Sequence, residues 1–505
     1  VRKNNVFFSL AIKNYSHYGA DLPTCPSFLW DIQMRLSYRS LTAFLMLALA
    51  SPAYASPPPV AMVVDADSVD TGGSNDAFFG NRSQTMLGNM WGVRPWLSQY
   101  GMTLNVLETS EVLGNVSGGI HQGFDYDGLT QLSLQMDTQR AFGWYGGTFN
   151  ISALQIHGRN LSADNLGTLQ TSSGIESDRA TRLWEMWYDQ KFLDEDRLDI
   201  KIGQQSIDQE FMVSSNALLF VNTMFGWPMV PSADMPNGGP AYPLSALGVR
   251  ARGKPNDAFT VLGGVFNGSP TNRSGVNDSG TGFPLDGGVL AIGEVQYSYP
   301  SLGAMVSPDD TAALSGTYRL GLWYDSENFA DQRFDTTGTS LATSLTGNPR
   351  MHHGDYGIYG VADQMLWHSD ELEDRTLNFF TRLMGTPQQD RNAIDFSANV
   401  GLTLHEPIPL RDNDTVGVGF GYADVSPSLA SLDRDTAIAN PGTYVPVRTG
   451  ETFVEATYQY QVTPWWQVQP DFQYVFNVGG GSVNPNNGQR IGNEAVIGLR
   501  TNIAF

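Results

Sequence analysis

The chain has 505 residues, of which 41% are hydrophobic, 11% aromatic and only 16% charged, with 54 glycines. That composition can bury or embed a large structure and excludes a low-hydrophobicity disordered chain. With 29 Lys and Arg against 51 Asp and Glu, the net charge of -22 is opposite in sign to what a phosphate backbone attracts, so no nucleic-acid partner is expected.

In chain order, residues 1–33 read as an over-extended reading frame ahead of Met34. Residues 34–55 then combine Arg35 and Arg39, the apolar run LTAFLMLALA and the small-residue site Ala53-Tyr54-Ala55, the three parts of a secretory signal peptide. The run is shorter than the ~20 residues of a membrane-spanning helix, which points to export rather than anchoring. The one cysteine, Cys25, falls in the discarded part, so disulfides, thiol catalysis and cysteine metal ligation are not expected in the mature chain. Residues 56–102 read as a periplasmic N-terminal segment with a short helix near 85–100, where Leu87, Trp91 and Leu97 share one side.

From residue 103 the hydrophobic period changes to two. In EAVIGLRTNIAF (494–505) Ile497, Leu499, Thr501, Ile503 and Phe505 face one way and Arg500 and Asn502 the other; WWQVQPDFQYVFNV (465–478) and TQLSLQMDTQ (130–139) alternate likewise. Sixteen such segments are predicted, near 103–115, 128–142, 143–158, 181–193, 197–207, 245–255, 259–268, 288–300, 313–327, 354–369, 375–387, 395–408, 414–426, 452–463, 465–478 and 494–505. Short connections such as LDEDR alternate with long ones at 159–180, 208–244, 269–287, 328–353 and 427–451. An even strand count with that alternation predicts an all-β fold over 103–505: a 16-stranded antiparallel transmembrane β-barrel with short periplasmic turns and long extracellular loops. Only a helix or a closed sheet pairs every backbone polar group inside lipid.

Strand parity predicts a lumen wall of mixed sign. Asp137, Glu185, Asp199, Glu294, Asp395, Glu455 and Asp471 face inward with Lys201, Arg250, Arg252, Arg319, Arg382 and Arg500. Interspersed forks and carboxylates suit neighbouring hydroxyls of a neutral polyhydroxylated solute, and equally could pair with one another and stiffen the wall. The connection 208–244, the third extracellular loop of such a barrel, is too apolar for a free surface loop and is predicted to fold inward as a constriction, with Trp227 and Tyr242 either facing sugar rings or packing the loop onto the wall.

Catalytic templates are missing: no G-x-S-x-G elbow, no Walker loop and no H-E-x-x-H occur, and neither a catalytic set, a metal nor a cofactor is expected. His352-His353 reads as a loop pair, Asp125-Tyr126-Asp127-Gly128 as an acidic turn, and Gly417, Gly419 and Gly421 as close-packing glycines on one strand face.

Several long stretches together resemble the carbohydrate-selective outer-membrane porin family, OprB: LNVLETSEVLGNVSGG (104–119), LWEMWYDQKFLDEDRLDIKIGQQSIDQEFM (183–212), FGWP and GGPAYPL (225–228 and 238–244), YGIYGVADQMLW (356–367), and TYQYQVTPWWQVQPDFQYVFNVGGG with AVIGLR (457–481 and 495–500). The resemblance implies a sixteen-stranded porin in the outer membrane of a Gram-negative bacterium that passes glucose and similar sugars by facilitated diffusion through a constriction of Arg and Glu side chains. Carried onto this chain it picks out Glu185, Lys201, Glu210, Arg250 and Arg252, beside the parity candidates Glu294 and Arg319. Expected partners are small neutral sugars, outer-membrane lipid and lipopolysaccharide, and the assembly machinery through Phe505; monomer and trimer both stay open. The competing functions are a general diffusion porin and a barrel-scaffold hydrolase or glycan-binding protein, for which His157 and His405 are the in-strand candidates.

Overall fold

A computed structural model describes residues 84–271, 275–300, 314–369 and 375–505. The expected leader at 34–55 and the residues before it lie outside these. Sixteen strands close on themselves: β1 (Met102–Ser117), β2 (Gly123–Asp137), β3 (Gly147–Gly158), β4 (Ala180–Phe192), β5 (Leu198–Gln205), β6 (Ala246–Asn256), β7 (Phe259–Asn267), β8 (Val289–Tyr299), β9 (Gly316–Asp335), β10 (Pro349–His368), β11 (Thr376–Gly385), β12 (Ile394–His405), β13 (Thr415–Val425), β14 (Glu451–Thr463), β15 (Trp466–Phe476) and β16 (Glu494–Ala504). Each pairs antiparallel with its sequence neighbours, and β1 pairs with β16 from Leu107↔Ala504 to Ser117↔Ala495, so no edge is left open.

The outward face is apolar because lipid, not water, meets it. One row runs Gly253, Val261, Val295, Leu320, Gly360, Leu383 and Ala398 across β6 to β12. Aromatic side chains mark the rims, with Tyr297, Tyr318, Trp367 and Tyr460 exposed near one end and Tyr324, Tyr356, Phe396 and Phe476 toward the other. Among the described residues no helix is long and apolar enough to cross a membrane; the strands do so.

Three expectations are corrected. Residues 125–128 are not a turn: they lie in β2, paired with β1 at Asp127↔Glu111. The second strand correspondingly ends earlier, and Thr138–Phe142 is a short helix capped by the Asp137 carboxylate, which accepts from Arg140 N. Half of the connection expected at 328–353 is strand, because β9 and β10 continue their pairing as far as Asp335↔Pro349.

The chain's N-terminal part closes the seam from below. Met86 N donates to Ala504 O at 2.7 Å, Phe505 N donates to Val106 O at 2.9 Å, and Arg94 of the short helix Val93–Ser98 donates to Gly88 O at 2.6 Å and to the main-chain oxygen of Phe505.

Candidate functional site

The interior is organised by the connection 206–245 between β5 and β6, which enters the barrel. Its aromatic face is buried: Phe211, Phe220, Phe225 and Trp227 join Trp323, Tyr359, Phe380 and Phe453 of the wall in one apolar cluster. Burying side chains of this size contributes ~1.5–3 kcal/mol each. Glycines make the seat. An added Cβ on Gly417 would lie 2.6 Å from Leu219, and one on Gly419 2.5 Å from Phe225, so β13 admits the loop only because those positions are bare.

The loop backbone is held by inward-facing polar side chains of β8 to β16. Glu294 accepts from Met212 N at 2.9 Å and from Tyr359 OH at 2.8 Å. Asp363, itself paired with Arg319 at 2.7 Å, accepts from Ser214 Oγ at 2.6 Å and Asn216 Nδ2 at 3.0 Å. Arg382, fully buried, donates to Met212 O at 2.8 Å, Gly226 O at 3.0 Å and Met224 O. Glu455 accepts from Val221 N at 2.6 Å and Asn222 N at 3.0 Å. Buried amides and carbonyls of an irregular segment must find partners, and here the wall supplies them.

A different arrangement occupies β4 to β6. Cross-strand register puts Asp189, Lys201 and Arg250 in one row and Lys191, Asp199 and Arg252 in the next. Arg250 pairs with Asp199, with Asp189 at 3.2 Å and with Glu210 of the loop at 2.5 Å. Lys201 also pairs with Glu210 and stands 4.5 Å over the Trp187 ring, and Arg252 holds Asp199 at 2.7 Å. Three cations thus meet three carboxylates in direct contact, a formally neutral patch. Arg252, with 19% of its side chain exposed against 1% for Arg250, is the member that reaches open space.

Of the sequence candidates, the structure brings Lys201, Glu210, Arg250 and Arg252 together. Glu185 stands on the same strands, accepting from Ser206 N at 3.0 Å where the loop begins. Glu294 and Arg319 lie on β8 and β9 in the loop's fastening. Trp227 is buried with its indole N–H on Gly238 O at 2.8 Å; Tyr242 donates to Ile175 O at 2.9 Å, its ring edge-on to Trp184. Burial, together with Asp127 and Glu111 nearby, pushes the Tyr242 phenol up, so it stays a donor. Asp189 was missed, although it shares the parity of Glu185; Asp363 and the glycine seat carry no local sign of their partners.

Among the described residues no group of three or more His, Cys, Asp or Glu side chains is arranged to hold a metal ion. His352 pairs with Asp331 at 2.9 Å. His405 contacts Thr415 Oγ1 at 3.0 Å. His157 Nε2 meets Tyr126 OH at 3.1 Å, and Ser110 Oγ meets that same hydroxyl at 3.2 Å rather than the imidazole, so the direct serine–base contact of a nucleophile pair is not made.

Comparison with known proteins gives a consistent result. The family described as carbohydrate-selective porin, OprB family, matches residues 121–505. Porin B of Pseudomonas aeruginosa is 25% identical over 448 residues, 85% of this chain and 92% of that protein. The putative porin QuiX of Acinetobacter baylyi is 22% identical over 432 residues, 81% of this chain and 91% of that protein. The high-pH structure of Pseudomonas putida OprB superposes with a TM-score of 0.72 at 24% identity, covering 85% of this chain and all of that one, a likeness of fold.

Proposed function

Because this chain belongs to the OprB family of carbohydrate-selective porins, we propose that it passes neutral sugars, glucose and similar monosaccharides among them, down their gradient past the β4–β6 patch. It is an outer-membrane channel and not an enzyme, as its relatives are. The observation that carries the finer reading is the charge balance of Arg250, Arg252 and Lys201 against Asp189, Asp199 and Glu210. A ring of one sign attracts its counter-ion and repels its co-ion; a neutral patch does neither, while still offering fork donors and carboxylate acceptors at short spacing. A sugar hydroxyl both donates and accepts, so it can exchange water for these groups without a net electrostatic gain or loss. Transport needs such contacts to be weak enough to release the solute on the far side.

The test is single-channel conductance of the purified protein in a planar bilayer, with glucose titrated on one side. Saturable reduction of ion current in the millimolar range, weakened several-fold by Arg252→Ala, is the expected result. Open channels whose current ignores glucose would make the protein a general diffusion porin, and absence of channels would overturn the pore reading altogether.

A further inference from the structure

Toward the long-loop end of β9 and β10, two carboxylates stand directly opposite each other. The register pairs Asp325 with Asp355, and both face inward, since Tyr324 and Tyr356 beside them are exposed on the outer face. Neither reaches solvent: each is 0% exposed. Like charges at opposed positions are destabilising on any sheet, and burial raises the cost. The surroundings do not relieve it. On its other side Asp325 pairs with the buried Leu290 of β8. Arg391 is engaged by Asp390 at 2.9 Å and by Gly354 O, and Asp234 of the inward loop adds a further carboxylate, accepting from Ala393 N at 2.9 Å.

The hydrogen bonds leave one oxygen of each carboxylate over. Asp325 Oδ1 accepts from Glu327 N at 2.8 Å and Asp355 Oδ1 from Asn392 Nδ2 at 3.2 Å, while Oδ2 of both meets no donor. Asn392, also 0% exposed, donates to Asp355 and Thr386 and leaves its own Oδ1 buried without a partner. An aspartate pair can share a proton, but an amide oxygen does not titrate, so protonation alone leaves Asn392 unexplained. We infer that Asp325 and Asp355, with Asn392 Oδ1, hold a hard divalent cation of the calcium class. Such an ion takes carboxylate, amide and main-chain oxygens in a flexible shell completed by water. Gly287 O is drawn against Asp325 across Gly268, where an added Cβ would meet Gly287 O and lie 2.7 Å from Asp325 Oδ1. The two carboxylates balance the charge of the ion and the other donors are neutral, so no set of three acidic groups marks the site. The ion ties β9 and β10 to the 386–393 connection, whose Ala393 N in turn holds Asp234, and thereby secures the far end of the inward loop.

The experiment uses the full chain extracted from outer membranes and stripped of metal with a chelator, scoring only the folded, heat-modifiable fraction. Terbium, a luminescent stand-in for calcium, is titrated and excited through the aromatic rings, with Trp323 on the same strand face as Asp325. One saturable step displaced by calcium is expected for the wild type, together with a calcium-dependent rise in unfolding temperature. Asp325→Asn combined with Asp355→Asn keeps the shape, removes the charges and is expected to abolish both. Asn392→Ala, which removes an oxygen and no charge, is expected to weaken binding about tenfold or more, and it decides the matter alone where the double variant does not fold. Asp194→Asn, in the β4–β5 turn at the opposite end, is expected to change neither. Equal binding by the wild type and the double variant would mean that the acidic surface as a whole attracts the ion, and would overturn the site. So would a wild type whose unfolding ignores calcium, or an Asn392→Ala variant of unchanged affinity.

Discussion

Two sectors of the wall carry inward-facing charges of the same residue types at the same strand parity, and they use them differently. On β4 to β6 the charges chiefly answer one another: Arg250, Arg252 and Lys201 are neutralised by Asp189 and Asp199 of the wall and by a single carboxylate of the loop, Glu210. On β8 to β16 they answer the loop: Glu294, Asp363, Arg382 and Glu455 bond its amides, carbonyls and side chains. The first sector is a network paired mainly within the wall and the second a fastening. A side chain facing inward is thus not yet a side chain facing the solute; what decides is whether a segment with unpaired backbone groups is brought against it.

The comparison can be broken most forcefully at Arg250. Replacing it by Met leaves Asp189 and Asp199 buried with a cation removed, a change that costs about 3–5 kcal/mol when a buried ion pair loses one partner. Urea unfolding of the folded band should register that loss, and the reversal potential in a salt gradient should move toward cation preference. An unchanged reversal potential would mean that this sector does not line the path.

Arg382→Gln sharpens the other side. It removes charge-assisted donors from three loop carbonyls, worth about 1.5–3 kcal/mol for a hydrogen bond to a charged group, and should make the open-channel current noisier as the loop loosens. Ion preference should stay as in the wild type; a shift as large as that of Arg250→Met would erase the distinction between the sectors.

The smallest effect is a pH dependence at the loop's far end. Asp234 accepts from Ala393 N at 2.9 Å, and burial, then Asp355 and Asp395, push its carboxyl well above the ordinary 3.8. A raised folded-state value means the folded protein holds the proton more tightly than the unfolded one. The stabilisation is therefore complete below about pH 3.8 and is lost as pH rises through the folded-state value. Asp234→Asn should flatten that alkaline decline in thermal stability, and an unchanged slope would place the titration elsewhere.

The strands were legible because the pleat imposes a period of two on any sheet that meets lipid on one side and water or polar protein on the other. Where the reading slipped, composition competed with period: FDYDG in β2 carries the Asp and Gly of a turn, yet its pairing with β1 fixes it as strand. The mixed-sign wall was legible for the same reason, down to Lys201, Arg250 and Arg252. Its division into a paired network and a fastening was not. That Glu455 serves Val221 and that Gly419 admits Phe225 depends on contacts across more than 190 positions of chain, and neither residue differs locally from its neighbours.

The seam between β1 and β16 sets the manner in which this molecule is made. Thr109 and Asn502 are 393 residues apart and share a hydrogen bond across it, while Arg94 and Phe505 meet just beneath. Every other strand pair is local in sequence and can form as a hairpin; this one alone turns a ribbon into a cylinder, and its loop-closure entropy falls due in a single step. Until then both outer strands present unpaired backbone in a bilayer that cannot solvate it. Sealing is consequently the committing event of assembly, and a ribbon that stalls before it has two adhesive edges and nowhere to rest.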